Sequence, residues 1–156
     1  MNPPDVPILD LTQEQEDALN TSMETIWHLL EMMGVTPEQP GDILSGCEAL
    51  VQGWKAASAH ERPDQGLLIQ GLGGVVGCMI TSVSTFEWKN AVDEDGDTPC
   101  LVAGTDKDQV ILFPIDSVAK RFDSEVEKPL WQYFIGVVDD PNTRACFKPE
   151  FLESIG

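Results

Sequence analysis

The segment between Asp64 and Ser82 constrains the fold more than any other part of this sequence. Its apolar residues fall on nearly every side of a helix, and they are Leu67, Leu68, Ile69, Leu72, Val75, Val76, Met79, Ile80 and Val83. A helix without a polar face needs apolar neighbours all round, so the sequence predicts that this one lies at the centre of the domain. Gln70 and the interspersed glycines argue against a membrane span of similar length.

Glycines are concentrated in the same segment, in the run 71–77 (GLGGVVG). A dinucleotide-binding G-x-G-x-x-G motif would require glycine where Val76 stands, and a strand would have to precede it. Neither condition is met. Gly73 and Gly77 are four residues apart and therefore share one helix face, which favours close approach of a neighbouring backbone.

Two amphipathic helices are predicted before this segment. Thr12 is an N-cap candidate, and Gln15 three residues later completes a capping box. The apolar residues that follow lie on one helix face: Leu19, Met23, Ile26, Trp27, Leu30 and Met33. A second helix is expected from Asp42, and residues 1–10, which are rich in proline, are expected to be irregular.

After Ser82 the apolar spacing changes from helical to strand-like. Strands are predicted over residues 86–92, 99–103 and 109–113, separated by turns that contain glycine. We therefore expect an α+β fold, in which a helical N-terminal half packs on a small three-stranded antiparallel sheet.

C-terminal helices are expected to follow the sheet. Pro114 favours the start of a short helix that ends near Arg121, and Pro129 favours the start of a last amphipathic helix. Residues 139–156 are expected to form a loop with a short terminal turn. With no internal repeat or linker, residues 1–156 are interpreted as a single domain.

The charge of the chain limits its partners. Nine basic residues against 27 acidic ones give a formal net charge of −18 and an isoelectric point near 4.1. Such a field repels nucleic acids and anionic lipid surfaces, and it speeds encounter with basic partners. Residues 1–54 contain no lysine or arginine. We therefore expect a basic protein partner, with no direct binding of nucleic acid or membrane.

Two acidic segments are candidates for partner binding. The first lies on helix one, and the second is the turn at 93–97. Their candidate residues are Glu14, Asp17, Glu24, Glu31, Asp93, Glu94, Asp95 and Asp97. Two interpretations stay open for the helix, a solvated face of an acidic protein or an electrostatic docking face for a cationic partner. For the turn, the alternatives are a simple hairpin connection or an acidic contact loop.

No cofactor or metal is expected from the sequence. Cys47, Cys78, Cys100 and Cys146 lack zinc-binding spacing, and the acidic turn lacks EF-hand register because Val102 stands where the liganding glutamate belongs. Nucleophile-elbow, zincin and P-loop motifs are absent as well. The N-terminus does not resemble a signal peptide, so free thiols in a reducing cytoplasm are the expected state.

Residues from about 70 to 138 resemble a known family. The resemblance is carried by the glycine-rich helix, a strand with the central pair Glu87-Trp88, an acidic turn with Gly96, and the run from Leu112-Phe113-Pro114 to Lys120-Arg121. This order is similar to that of a widespread bacterial family classed as a domain of unknown function. The resemblance implies an α+β fold and implies no activity.

These observations favour a non-catalytic, protein-binding function. The most concrete hypothesis is a bacterial immunity protein that binds and neutralises a basic toxin, because an acidic inhibitor associates rapidly with a basic partner. Two alternatives stay open. One is a cytoplasmic adaptor with an ordinary protein partner, and the other is a small enzyme whose carboxylates converge only in the fold.

Overall fold

The computed structural model of the chain describes residues 7–35, 39–62, 64–94, 96–104 and 108–155. The elements in chain order are β1 (Ile8–Leu9), α1 (Gln13–Met32), α2 (Pro40–Ala56), α3 (Gln65–Ser82), β2 (Glu87–Asp93), β3 (Gly96–Ala103), β4 (Val110–Leu112), α4 (Pro114–Arg121), α5 (Pro129–Asp139), α6 (Pro141–Arg144) and α7 (Pro149–Ile155). The α+β class is confirmed, with α1–α3 before the main strands and α4–α7 after them.

The α3 helix lies at the centre of the core, as its composition predicts. Ten of its 18 residues are buried, and Leu72, Val75 and Val76 are fully enclosed. Asp64 caps its N-terminus by accepting a hydrogen bond from the Leu67 amide at 3.0 Å. By length and composition alone α3 could also cross a membrane, but burial of more than half of it inside the protein is typical of a core helix.

The glycines of α3 are the points where other elements approach it. A β-carbon added at Gly71 would lie 2.6 Å from Cγ1 of Ile26, and one at Gly74 would lie 2.5 Å from Cγ of Met23 and 3.7 Å from Cδ2 of Leu19. The later glycine therefore faces earlier residues of α1, so α1 and α3 run antiparallel.

On another side of α3, a β-carbon at Gly73 would lie 2.5 Å from Cα of Ile115 in α4, and Gly77 packs against the indole ring of Trp88 in β2. The predicted close approach of a neighbouring backbone is confirmed at Gly73, whereas at Gly77 a side chain approaches instead. Alanine at either position would force the neighbouring element outward.

Among the described residues, the sheet has four antiparallel strands in the order β1-β2-β3-β4, so the expectation of three strands is wrong by one. The missed strand is β1, which pairs Ile8 with Ala91 and Leu9 with Asn90 at the edge of β2. Two residues are too few to show a strand period. Tertiary contacts hold the segment in place, since Lys89 bonds Asp10 at 2.8 Å.

The main hairpin joins β2 to β3 with Trp88 opposite Leu101 and Asp93 opposite Gly96. Gly96 has a φ of +118°, which a residue with a side chain rarely adopts, and this explains the glycine in the acidic turn. β3 therefore begins at Gly96, three residues before its predicted start.

The α1 and α5 helices begin where the sequence predicts. Thr12 and Gln15 form the predicted capping box of α1. Pro129 is the first residue of α5, whose N-cap residue makes no side-chain capping bond. Instead, the Glu48 carboxylate of α2 accepts hydrogen bonds from the amides of Leu130 at 2.8 Å and of Trp131 at 3.4 Å. One carboxylate thus ties α2 to the N-terminus of α5.

The C-terminal segment is helical where a loop was expected. The two short helices α6 and α7 follow α5, and each begins at a proline. Rings of the C-terminal residues Phe147 and Phe151 pack on Phe134 of α5, with centroid distances of 6.4 and 5.9 Å. Helices of four and seven residues are too short to show an apolar period, so the sequence gives only their proline starts.

The packing of Gly77 on Trp88 generates a stability prediction. Gly77→Ala should lower the free energy of unfolding by about 1–3 kcal/mol, because the added methyl group overlaps a rigid indole ring. Gly53→Ala is the matched control, since Gly53 is helical and no atom lies within 4 Å of its added β-carbon. It should stabilise the protein by about 0.5–1 kcal/mol. Urea unfolding curves measure both, and equal effects at the two sites would contradict the packing argument.

Candidate functional site

The four candidate carboxylates of α1 share one face of the helix. At about 100° per residue, Glu14, Asp17, Glu24 and Glu31 fall within an arc of about 100°. All four are exposed, and the buried residues Leu19, Ile26 and Leu30 lie on the opposite side. We refer to Glu14, Asp17, Glu24 and Glu31 as the acidic face.

No cation neutralises the acidic face within the described part of the chain. The ion pairs found there lie elsewhere: Lys89 with Asp10, Lys120 with Asp116, and Arg144 with Asp139. Asp17 accepts a hydrogen bond from the side chain of Gln13 at 2.9 Å, which leaves its charge in place. The acidic face therefore presents unpaired negative charge to solvent along most of α1.

The second candidate segment lies at the tip of the β2–β3 hairpin. Asp93, Glu94 and Asp97 are exposed there, and Asp95 lies outside the described residues. The hairpin is therefore a tight connection whose acidic side chains are accessible from solvent.

The hairpin tip lies toward the N-terminal end of the acidic face. Gln15 at the start of α1 donates a side-chain hydrogen bond to Asn90 at 3.0 Å, and the tip is about 10 Å farther along β2. Farther along α1, Met23 lines a cavity together with Trp88, and Trp88 is farther from the tip than Asn90 is. The α1 helix therefore runs away from the tip. The four helix residues thus share one face of α1, and the turn lies near the N-terminal end of that face.

An apolar groove lies beside the acidic face, and the sequence did not indicate it. It has a volume of about 230 Å³ between α1 and the first turn of α3, and it is lined by Thr21, Ser22, Thr25, Ile26, Leu29, Asp64, Leu67 and Leu68. We name it the α1–α3 groove. The all-round apolar pattern of α3 predicts that Leu67 lies in the core, but Leu67 is 62% exposed at the mouth of the groove.

A larger cavity of about 740 Å³ lies between α1 and β2. Two carboxylates, Asp10 and Glu16, line it together with Met23, Cys78 and Trp88. Asp10 is bound to Lys89, which holds the pKa of that carboxyl below its usual range. Asp10 is therefore held in its ionised form near neutral pH, which disfavours it as a general acid.

The four cysteines are free thiols, of which Cys47 and Cys100 are buried and Cys78 and Cys146 are half-buried. Burial raises the pKa of Cys47 to about 12 and that of Cys100 to about 11. Burial also raises the pKa of Cys78 and Cys146. Because the thiolate is the nucleophile and the metal ligand, these thiols behave as small apolar side chains near neutral pH. Within the described ranges, no three His, Cys, Asp or Glu side chains are grouped so as to hold a metal ion.

A family model described as "Domain of unknown function (DUF3806)" matches residues 49–134 of this chain. The chain belongs to this family. The family region runs from the second half of α2 through α3 and the sheet to the middle of α5. The family region begins about twenty residues before the segment from about 70 to 138, in which the sequence resembles a family of unknown function. The acidic face of α1 lies outside it, whereas the α3 wall of the α1–α3 groove lies inside it.

A solved structure supports the fold. It is a 1.50 Å crystal structure of a protein from Bacteroides thetaiotaomicron VPI-5482, with a TM-score of 0.65 and 13% sequence identity. The match covers 86% of this chain and 47% of that one, so this chain spans about half the length of its structural neighbour. At this identity the likeness shows the fold alone. No curated protein matches the sequence.

The buried thiols generate a prediction about alkaline stability. Above pH 9 the Cys47 thiol ionises in the unfolded chain but stays protonated in the folded protein up to a pKa of about 12. The unfolded state then binds fewer protons, so the free energy of unfolding should fall as pH rises through this window. The slope should reach about 1.4 kcal/mol per pH unit for one thiol.

Urea unfolding of the wild type and of Cys47→Ala between pH 8 and 11 measures this effect. The smaller side chain of the variant lowers the free energy of unfolding by the same amount at every pH, so this cost cancels when the slopes against pH are compared. The wild type should lose stability more steeply than the variant. Parallel pH dependences would show that Cys47 makes no such contribution.

Proposed function

We propose that this chain is a non-catalytic, protein-binding protein whose acidic face docks a basic protein. The observation that carries the proposal is the alignment, along one side of α1, of four exposed carboxylates that form no ion pair with another described residue. The four like charges contribute to one negative field along α1, which attracts a cationic partner.

In its most concrete form, the proposal is that the chain is a bacterial immunity protein that neutralises a basic toxin in the cytoplasm. The net charge of −18 supports rapid association with such a partner. The raised thiol pKa values and the pairing of Asp10 with Lys89 support a function without catalysis.

The first experiment is affinity capture from the native host, followed by mass spectrometry of the bound proteins. The proposal expects a basic protein that is released as the salt concentration rises, and it expects that protein's toxicity to be suppressed when both proteins are present. A captured basic protein without toxicity would support the adaptor alternative. An acidic or neutral partner that stays bound in high salt would overturn the docking proposal.

The acidic face generates a kinetic prediction for the captured partner. Reversing Glu14, Asp17, Glu24 and Glu31 to lysine should lower the association rate by about tenfold or more, with a smaller change in the dissociation rate. The wild-type rate should also fall steeply with salt, since screening shortens the reach of the field to about 8 Å at physiological ionic strength. Stopped-flow or surface plasmon resonance measurements give both rates.

The matched control reverses four exposed glutamates elsewhere: Glu125, Glu127, Glu150 and Glu153. This control changes the net charge by the same amount as the acidic-face variant. If the position of the charges matters, the control should slow association much less. If the two quadruple variants associate at the same rate, only the total charge matters, and the acidic face is not a docking face.

The hairpin turn is tested separately by reversing Asp93, Glu94 and Asp97. If the turn reaches into the partner's active site, this variant should dissociate faster and should no longer protect cells exposed to the toxin. An unchanged dissociation rate would leave the turn with a purely structural role.

A further inference from the structure

The α1–α3 groove adds an apolar recognition element beside the acidic face. Its volume of about 230 Å³ is below the range of about 300–1,000 Å³ that is usual for small-molecule pockets, and it suits the insertion of a large side chain. Leu29, Ile26 and Leu68 supply apolar walls, and Leu67 at its mouth is 62% exposed.

Groove-lining residues of α1 belong to a stripe of the helix that ends in one further apolar residue beyond the groove, Met32. Ser22, Thr25, Leu29 and Met32 follow one another at spacings of three, four and three residues, so they form one stripe of the helix. Met32 is 71% exposed at the end of this stripe. Small side chains at Ser22 and Thr25 leave space between the two helices, and Leu29, Leu67 and Met32 offer apolar contacts around it.

The acidic face runs parallel to this stripe along α1. Asp17 lies four residues before Thr21 and Glu24 three residues after it, so both carboxylates neighbour Thr21, which lines the groove, on the helix surface. On the α3 side, Asp64 is part of the lining.

The nearest cation along the chain, Arg62, lies over the Trp54 ring at 4.4 Å and bonds carbonyl oxygens at the end of α2. Its charge is therefore directed at α2.

We infer that the α1–α3 groove binds a cationic amphipathic helix of the partner protein. One or two large apolar side chains of that helix enter the groove, and its lysines or arginines face Asp17, Glu24 and Asp64. A third helix can pack into the groove between two antiparallel helices, and a partner helix is commonly recognised by apolar anchor side chains that repeat every three or four residues. The inference rests on the proposed function and assigns it a site and a partner chemistry.

The charge around the groove selects this occupant over others. A second copy of this chain would bring another −18 net charge to the same surface, and an anionic membrane surface would be repelled as well. An uncharged apolar segment would gain contacts in the groove but nothing from the carboxylates beside it. Only an occupant with both apolar anchors and positive charge uses both halves of the surface.

The test uses synthetic helical peptides of about 18 residues and the full-length protein, because a helix of that length spans about 27 Å and matches α1. The first peptide carries a leucine stripe at helical spacing and lysines on the remaining faces. The second has serines in place of the leucines, and the third has glutamates in place of the lysines. Isothermal titration gives the Kd, and amide chemical shifts locate the binding site.

We expect the leucine–lysine peptide to bind at least about tenfold more tightly than either of the others. The largest shifts should fall on Thr25, Leu29 and Leu67. Equal binding of the leucine–lysine and serine–lysine peptides would overturn the inference, since attraction would then be electrostatic alone. Shifts centred on another surface would overturn it too.

Two substitutions probe the groove itself. Leu67→Ser removes an exposed apolar side chain, and Thr25→Trp fills the space between the helices from an exposed position. Each should weaken binding of the leucine–lysine peptide by about tenfold. Leu9→Ser is the matched control, because Leu9 is 55% exposed but lies on the edge strand, and it should change the Kd by less than about twofold.

The inference and the proposed function can fail separately. If the natural partner binds in a salt-dependent way but Leu67→Ser and Thr25→Trp bind it as well as the wild type does, the groove inference is wrong and the proposed function stands. If the peptide occupies the groove but no basic protein is captured from the host, the groove inference stands and the proposed function falls.

Discussion

The rest of the structure depends on how closely other elements approach α3. Gly71 and Gly74 let α1 lie against it, Gly73 admits the backbone of α4, and Gly77 seats the Trp88 ring. Without β-carbons at these points, three elements reach the same helix at close range. Dispersion contacts weaken steeply with distance, so this close approach gives the core its density and fixes the position of each surrounding element.

That constraint also determines the shape of the candidate binding surface. Because α1 is held against the glycines at the middle of α3, its outer side faces solvent along its whole length, and the four carboxylates follow one another there. The groove forms where the glycine contacts end. Beyond Gly71, toward the N-terminus of α3, the helix carries the side chains of Leu67 and Leu68 where it later has glycines, and the α1 residues that line the same groove include the small side chains of Ser22 and Thr25.

Most of the fold could be predicted from the sequence because its signals are local. The capping box at Thr12, the cap at Asp64 and the prolines at 114 and 129 mark helix starts by hydrogen bonding and backbone geometry within a few residues. The errors have the opposite character. Strand β1 exists through its pairing with β2, and α7 is held by aromatic contacts to Phe134, so neither is determined by its own sequence alone.

The candidate site shows the same division. That four carboxylates share one face of α1 follows from helical geometry and could be predicted. The groove could not be predicted, because it requires knowing which side of α3 faces α1 and that Leu67 lies at the edge of that contact. In a pattern that is apolar nearly all round, an exposed leucine cannot be told from a buried one.

The boundary of the family region has a physical consequence for recognition. Gly71 and Gly74 lie inside the family region, but the helix that covers them, α1, lies outside it. A chain with only the family region would expose this side of α3, so some apolar element must cover it for the core to be complete.

In this chain the covering helix also carries the acidic face. Its buried side is constrained by the shape of α3, whereas its exposed side makes no contact that the fold requires. Changes on the exposed side can therefore alter charge and partner preference at little cost to stability, since surface substitutions away from packed contacts typically shift stability by less than about 0.5 kcal/mol.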